Sequence, residues 1–238
     1  TMDVPIYRWK KTCEADKERI LRRSGEDIER FEEDARKIIE EVRQNGDQAL
    51  IDQAQRFDRA DLSGVGIRVS ETEIEKAADR LDPKVKDAID RSYDNIRRFH
   101  ECQKPEEYWT TEVAPGLFAG EKVTPIPSVA AYVPRGTAAY PSVMLMLGIP
   151  AAVAGVPRIV AVSPPCEDGT IDDGTLYAAQ KIGITEILRM GGAGAVAALA
   201  YGTETVKPVL KLVGPTNIYG AAAKKLLYGK IDVGTPAG

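Results

Sequence analysis

The chain has 238 residues, 43% of them hydrophobic and 29% charged, with a formal net charge of −4. That length suits one large or two small domains with a real core, and the acidic balance offers nucleic acid no basic face. No apolar run approaches the roughly 18 residues of a membrane span, and the polar first residues hold no signal-peptide core, so a cytoplasmic protein is expected.

The first hundred residues read as helical. Ile28, Phe31, Ala35, Ile38, Ile39 and Val42 recur at three- and four-residue steps, and Gly46 closes the pattern as a C-cap. A short helix is predicted over 46–59, with Ala49, Leu50, Ala54 and Phe57 on one face, and 65–69 alternates as a strand. Ser70 and Glu73 form an S-x-x-E capping box opening a helix to about Arg80. Asp82-Pro83 starts the next helix, whose stripe is Val85, Ala88, Ile89, Tyr93, Ile96 and Phe99. These stripes are read as core or subunit packing.

Residues 104–127, spaced by prolines, are read as a mostly irregular connector at a domain boundary. The division expected is a helical region over 1–110, a connector over 111–127 and an α/β domain over 128–238. In the last of these, strands are predicted at 129–133, 158–162, 186–190 and 210–213. Helices alternate with them at 142–154 (interrupted at Pro150), 175–182, 195–201 and 219–227, and 231–233 would be a fifth strand. Repeated strand–loop–helix units of this kind build a parallel sheet. The sequence stops at Pro236-Ala237-Gly238 with no helix to cover that strand, which reads as a cut domain.

Each of the four strands runs into a glycine- or proline-rich loop: Tyr132-Val133-Pro134-Arg135-Gly136, Ser163-Pro164-Pro165, Met190-Gly191-Gly192-Ala193-Gly194 and Val213-Gly214-Pro215-Thr216-Asn217. Ligands of open α/β sheets bind at the carboxyl edge, so a small molecule is expected there, a nucleotide first. Gly192-Ala193-Gly194-Ala195-Val196-Ala197 fits G-x-G-x-x-G/A, which lets a pyrophosphate approach a helix amino terminus. No acidic residue follows about 20 positions on to hold a ribose, because 207–213 has none. Packing by small residues is the plainer alternative.

Asn217 suits a helix cap, a ligand contact, or both. Tyr132 would stack on a base or ribose, or pack in the sheet; Arg135 would meet a phosphate or stay solvated. His100, the only histidine, is read as a helix-end partner, and Glu32-Glu33 and Asp172-Asp173 as solvated helix faces or starts. Cys13, Cys102 and Cys166 are too scattered for a disulfide framework or a CxxC metal site, so reduced thiols and no metal ligands are expected here.

Taken in order, several segments resemble histidinol dehydrogenases: Ile96-Arg97-Arg98-Phe99-His100; Pro127-Ser128-Val129 leading to Tyr132-Val133-Pro134; Thr137-Ala138-Ala139-Tyr140-Pro141-Ser142; Ala197-Ala198-Leu199-Ala200-Tyr201-Gly202-Thr203; and Gly214-Pro215-Thr216-Asn217. The resemblance covers nearly the whole chain and implies Rossmann-like domains, a cytoplasmic homodimer, and zinc-dependent, NAD-linked oxidation of L-histidinol to L-histidine. The family's NAD-contacting Tyr, Gln and Asn fall on Tyr132, Gly194 and Asn217, so the Gln position holds a glycine here; its Gly-Pro-Gly-Asn reads Gly214-Pro215-Thr216-Asn217. The zinc ligands and the Glu-His acid/base pair belong to the family's other half. The expectation is the amino-terminal, NAD-binding half of such an enzyme, without turnover of its own. The alternatives are a non-catalytic nucleotide- or partner-binding module, or a dehydrogenase acting on another alcohol.

Overall fold

The structure, a computed structural model, describes residues 5–22, 28–136 and 138–234; Thr137 and the Pro236-Ala237-Gly238 terminus lie outside the described residues. In chain order its elements are α1 (Glu14–Arg22), α2 (Glu32–Gln53), α3 (Glu71–Arg80), α4 (Pro83–Gln103), β1 (Tyr108–Ala114), β2 (Leu117–Lys122), β3 (Ser128–Tyr132), α5 (Pro141–Val153), β4 (Arg158–Ser163), α6 (Asp173–Ile182), β5 (Glu186–Arg189), α7 (Gly192–Tyr201), β6 (Lys211–Val213) and α8 (Ile218–Leu226).

The four later strands form a parallel sheet in the order β5-β4-β3-β6. All five residues of β3 are buried, as a sheet covered on both faces requires. On one face Ala130, Tyr132, Val160, Val162 and Leu188 pack among residues of α2, α7 and α8. On the other, Val133, Ala161 and Ile187 join the core of α3 to α6. The expected α/β class with a Rossmann-like parallel sheet is what the structure shows. Numbered from β3, the strand order is 3-2-1-4, that of a dinucleotide-binding sheet, and it reverses between β3 and β6.

Several local expectations need correction. Residues 104–127 are not mainly irregular: β1 and β2 pair antiparallel around Gly116, whose positive φ of 78° makes the turn, with Glu112 accepting from Gly116 N at 2.7 Å. Tyr108, Trp109, Thr110 and Thr111 supply the β preference that the flanking prolines mask. Residues 65–69 lie along β5, bonded from Val69 N to Ile187 O and from Arg189 N to Ile67 O, but form only a single bridge, Arg68 to Leu188.

Gly46 breaks the helical dihedrals (φ 55°, ψ −129°), so α2 is kinked there into two helical stretches, one closing at Gly46 and a second running on to Gln53, as the sequence predicts. Glu204 fills the space a Cβ at 46 would need and accepts from Asp47 N at 2.8 Å. Past Gln53 the chain makes one wide turn over Ala54–Asp58, which leaves Phe57 58% exposed, outside the apolar face predicted for it. Val85 and Phe99 are likewise exposed, whereas Ile89 is buried. Helix α5 runs through Pro150, and α7 starts at Gly192, inside the glycine loop. Residues 231–233 make only a bridge beside β6, through Leu212 N to Asp232 O and Asp232 N to Leu210 O.

Ser70 caps α3 as expected, accepting from Glu73 N, but the Glu73 side chain turns away to pair with Arg189. Arg189 is 1% exposed and also donates to Arg68 O at 2.8 Å, tying β5 to α3 and the preceding segment. The acidic pairs are not simply solvated either: Glu32 meets Lys225, Asp172 caps α6 and Asp173 pairs with Arg80.

Candidate functional site

The four strand-end loops interlock. Gly192 N–H donates to the Tyr132 hydroxyl at 2.8 Å, joining the first loop to the third. Gly191 lies so close to Pro164 that a Cβ would crowd the proline ring, joining third to second. Arg135 donates to Pro165 O at 3.2 Å. Gly214, at φ 109°, passes the Tyr132 carbonyl too closely for any side chain, and buried Lys224 donates to its carbonyl from α8. Burial lowers the Lys224 ammonium to about 8.

Above this floor lies a cavity of about 810 Å³ at the carboxyl edge, where the strand order reverses. Tyr132, Arg135, Gly192, Gly194 and Asn217 line it from the loops; Ile38, Glu41, Leu50, Gln53 and Asp58 face them from α2 and the turn beyond. The N-cap residue of α7, Gly191, has no side chain to cap the helix, and Tyr132 takes the Gly192 N–H; the helix presents its positive dipole end to the cavity.

The three residues singled out from the sequence therefore line one space, though not all as pictured. The Tyr132 ring is 2% exposed and packed between sheet and helices, so it offers no face for a base to stack on. Its hydroxyl instead accepts from the Gly192 N–H, and burial pushes its pKa up to about 12. Asn217 caps α8 as expected, its Oδ1 accepting from Gly220 N at 2.9 Å, while Nδ2 faces Gly192. The Thr216 side chain is buried over Gly220, where no Cβ would fit, and Thr216 also lines the cavity. His100 lies far along α4 with Gln103.

Two further residues that line the cavity, Asp58 and Gln53, are not singled out by the sequence. Burial raises the Asp58 carboxyl to about 6, against the pull of nearby Arg135. Gln53 interrupts an apolar stripe between Leu50 and Ala54, and that interruption was the one available signal. Its Nε2 donates to Glu41 at 3.2 Å, and Glu41 also accepts from Arg56 at 3.0 Å.

Among the described residues, no three His, Cys, Asp or Glu side chains converge on a metal-sized point, so these residues do not build a zinc site. Nor is any described helix long and apolar enough to cross a membrane.

The histidinol dehydrogenase family model matches residues 21–238. A histidinol dehydrogenase homolog of Rhizobium meliloti (strain 1021) is 47% identical over 235 residues, 99% of this chain and 52% of that protein. The histidinol dehydrogenase of Methanothermobacter thermautotrophicus is 51% identical over 201 residues, 84% of this chain and 46% of that protein. The crystal structure of histidinol dehydrogenase from Elizabethkingia anophelis aligns with a TM-score of 0.83 at 35% identity, covering 91% of this chain and 49% of that one. This chain thus spans about half the length of the relatives it matches. On these likenesses it belongs to the histidinol dehydrogenase family and corresponds to the amino-terminal half of its members.

Proposed function

We propose that this chain carries the nucleotide side of a histidinol dehydrogenase-like active site and binds NAD in the cavity at the sheet's carboxyl edge. The supporting observation is the interlocked floor: four loops, the glycine-rich start of α7 and the strand-order reversal all meet there. The pyrophosphate suits the start of α7, where glycine backbone admits close approach and the helix dipole favours an anion. Tyr132 holds the Gly192 turn in place, Gly194 lies in the first turns of α7, and Asn217 Nδ2 donates to the ligand. Arg135 balances negative charge.

When bound, NAD accepts hydride from the substrate alcohol. The groups that bind zinc and remove the alcohol proton we assign to the other half of the enzyme, so the 238-residue chain is expected not to oxidise L-histidinol alone. The complete protein is read as a cytoplasmic enzyme of histidine biosynthesis, with residues 128–238 as the nucleotide-binding unit and α2 closing its cavity.

A homodimer is also proposed. The β1–β2 ribbon is exposed along both strands and carries Tyr108, Trp109, Val113, Leu117 and Phe118 into solvent. An isolated two-stranded ribbon is marginal in water, and clustered exposed apolar side chains mark protein contacts. Calorimetric titration of NAD into wild type and Asn217→Ala tests the main reading. Saturable binding weakened in the variant supports it, and equal affinity in both counts against it.

A further inference from the structure

Gln53 sits on the buried face of α2, only 6% exposed, at the wall of the cavity. A carboxylate only accepts, so the Gln53 atom facing Glu41 is its NH2 group, and Oε1 is turned the other way. There Oε1 occupies the space that a Cβ on Gly194 would take. No donor among the described residues meets Oε1. The result is an oriented, nearly buried acceptor held over the second glycine of the G-x-G turn. Donation to Glu41, itself held by Arg56, strengthens Oε1 as an acceptor.

Dinucleotide-binding sheets use an acidic acceptor about 20 residues beyond the glycines to bind a ribose hydroxyl. Residues 207–213 contain none. We propose that Gln53 Oε1 accepts a hydrogen bond from a ribose hydroxyl of bound NAD, so that α2 supplies the acceptor and Gly194 supplies the room for it. This rests on the nucleotide reading of the cavity.

NAD titrations into the 238-residue chain, with a melting curve for each variant, test the proposal. Gln53→Leu keeps the volume and removes the acceptor; about tenfold weaker binding is expected, the scale of one hydrogen bond. Gln53→Ala/Gly194→Gln moves the carboxamide from α2 to α7 and is expected to bind more tightly than Gln53→Ala. Among NAD analogues each lacking one ribose hydroxyl, one is expected to bind wild type and Gln53→Leu alike.

Wild-type affinity in Gln53→Leu overturns the proposal, as does a double variant no better than Gln53→Ala or a Gln53→Leu deficit that persists with every analogue. If Gln53→Leu melts early, Gln53→Asn carries the test: one methylene shorter, it must also bind weakly, and wild-type affinity overturns the proposal. A wild-type chain that binds no NAD overturns the nucleotide reading together with this one. Binding by wild type with no effect at Gln53 overturns this one alone.

Discussion

Tyr132 and Gly192 stand 60 residues apart in sequence, and a 2.8 Å hydrogen bond from the Gly192 N–H to the Tyr132 hydroxyl joins their loops. The hydroxyl belongs to a ring 2% exposed, so its position is set by the core and not by solvent. Tyr132→Phe leaves the ring packing intact and strands the Gly192 donor. It is expected to cost about 1–2 kcal/mol of stability and to weaken NAD binding. Urea unfolding and NAD titration check both; wild-type values in both would remove Tyr132 from the account.

Gly214 is held against the backbone of the first loop. Its φ of 109° is a conformation that side-chain-bearing residues rarely adopt, and the Tyr132 carbonyl and Leu147 fill the space a Cβ would need. Gly214→Ala is expected to destabilise by about 2–4 kcal/mol, combining strain with displacement of the first loop. The midpoint of denaturant unfolding measures it. Gly183 provides the control, since a Cβ there meets nothing within 4 Å and only its φ of 92° is strained; Gly183→Ala should cost less.

Asp58 should make nucleotide binding depend on pH. Burial holds its carboxyl near pH 6, above its value in the unfolded chain. The protonated form therefore stabilises the fold at low pH, and that contribution is lost as pH rises through about 6. Above that pH the charged carboxylate shares the cavity with an anionic dinucleotide. Affinity should fall as pH rises from 5 to 7, by about fivefold for one partly screened charge pair. Asp58→Asn should flatten that dependence, and a slope unchanged in the variant would assign the titration to another group.

The Glu73–Arg189 pair is a test of the fold apart from the site. Arg189 is buried, and Glu73 is its only carboxylate partner among the described residues. Glu73→Ala leaves that charge unpaired and should cost about 3–5 kcal/mol. Glu73→Leu/Arg189→Met removes both charges and should cost less than Glu73→Ala alone, which thermal melting of the two proteins compares.

The sheet was legible because its strands are short apolar runs, each ended by glycine or proline. The caps at Ser70, Asp82 and Asn217 were equally plain, since capping chemistry is local. Tyr132, Gly194 and Asn217 could be chosen because they follow strands whose carboxyl ends must share an edge. The orientation of Tyr132 was not legible, because which side of a doubly covered strand becomes the packed core depends on the helices laid over it.

Gln53 and Asp58 were missed for a related reason. They reach the cavity from α2 and the turn after it, through packing of α2 on α7 and α8 that no local pattern encodes. The β1–β2 ribbon was hidden by the prolines around it, which are loop signals in isolation but here lie outside the paired residues or at the turn.

The central claim is that NAD occupies the cavity above the four loops. The most direct measurement is an amide chemical-shift map of the isotopically labelled chain titrated with NAD. Saturable shifts concentrated at 191–194, Gly214, Thr216, Asn217, Arg135 and Gln53 are expected. No saturable shift, or shifts centred away from that edge, would contradict it.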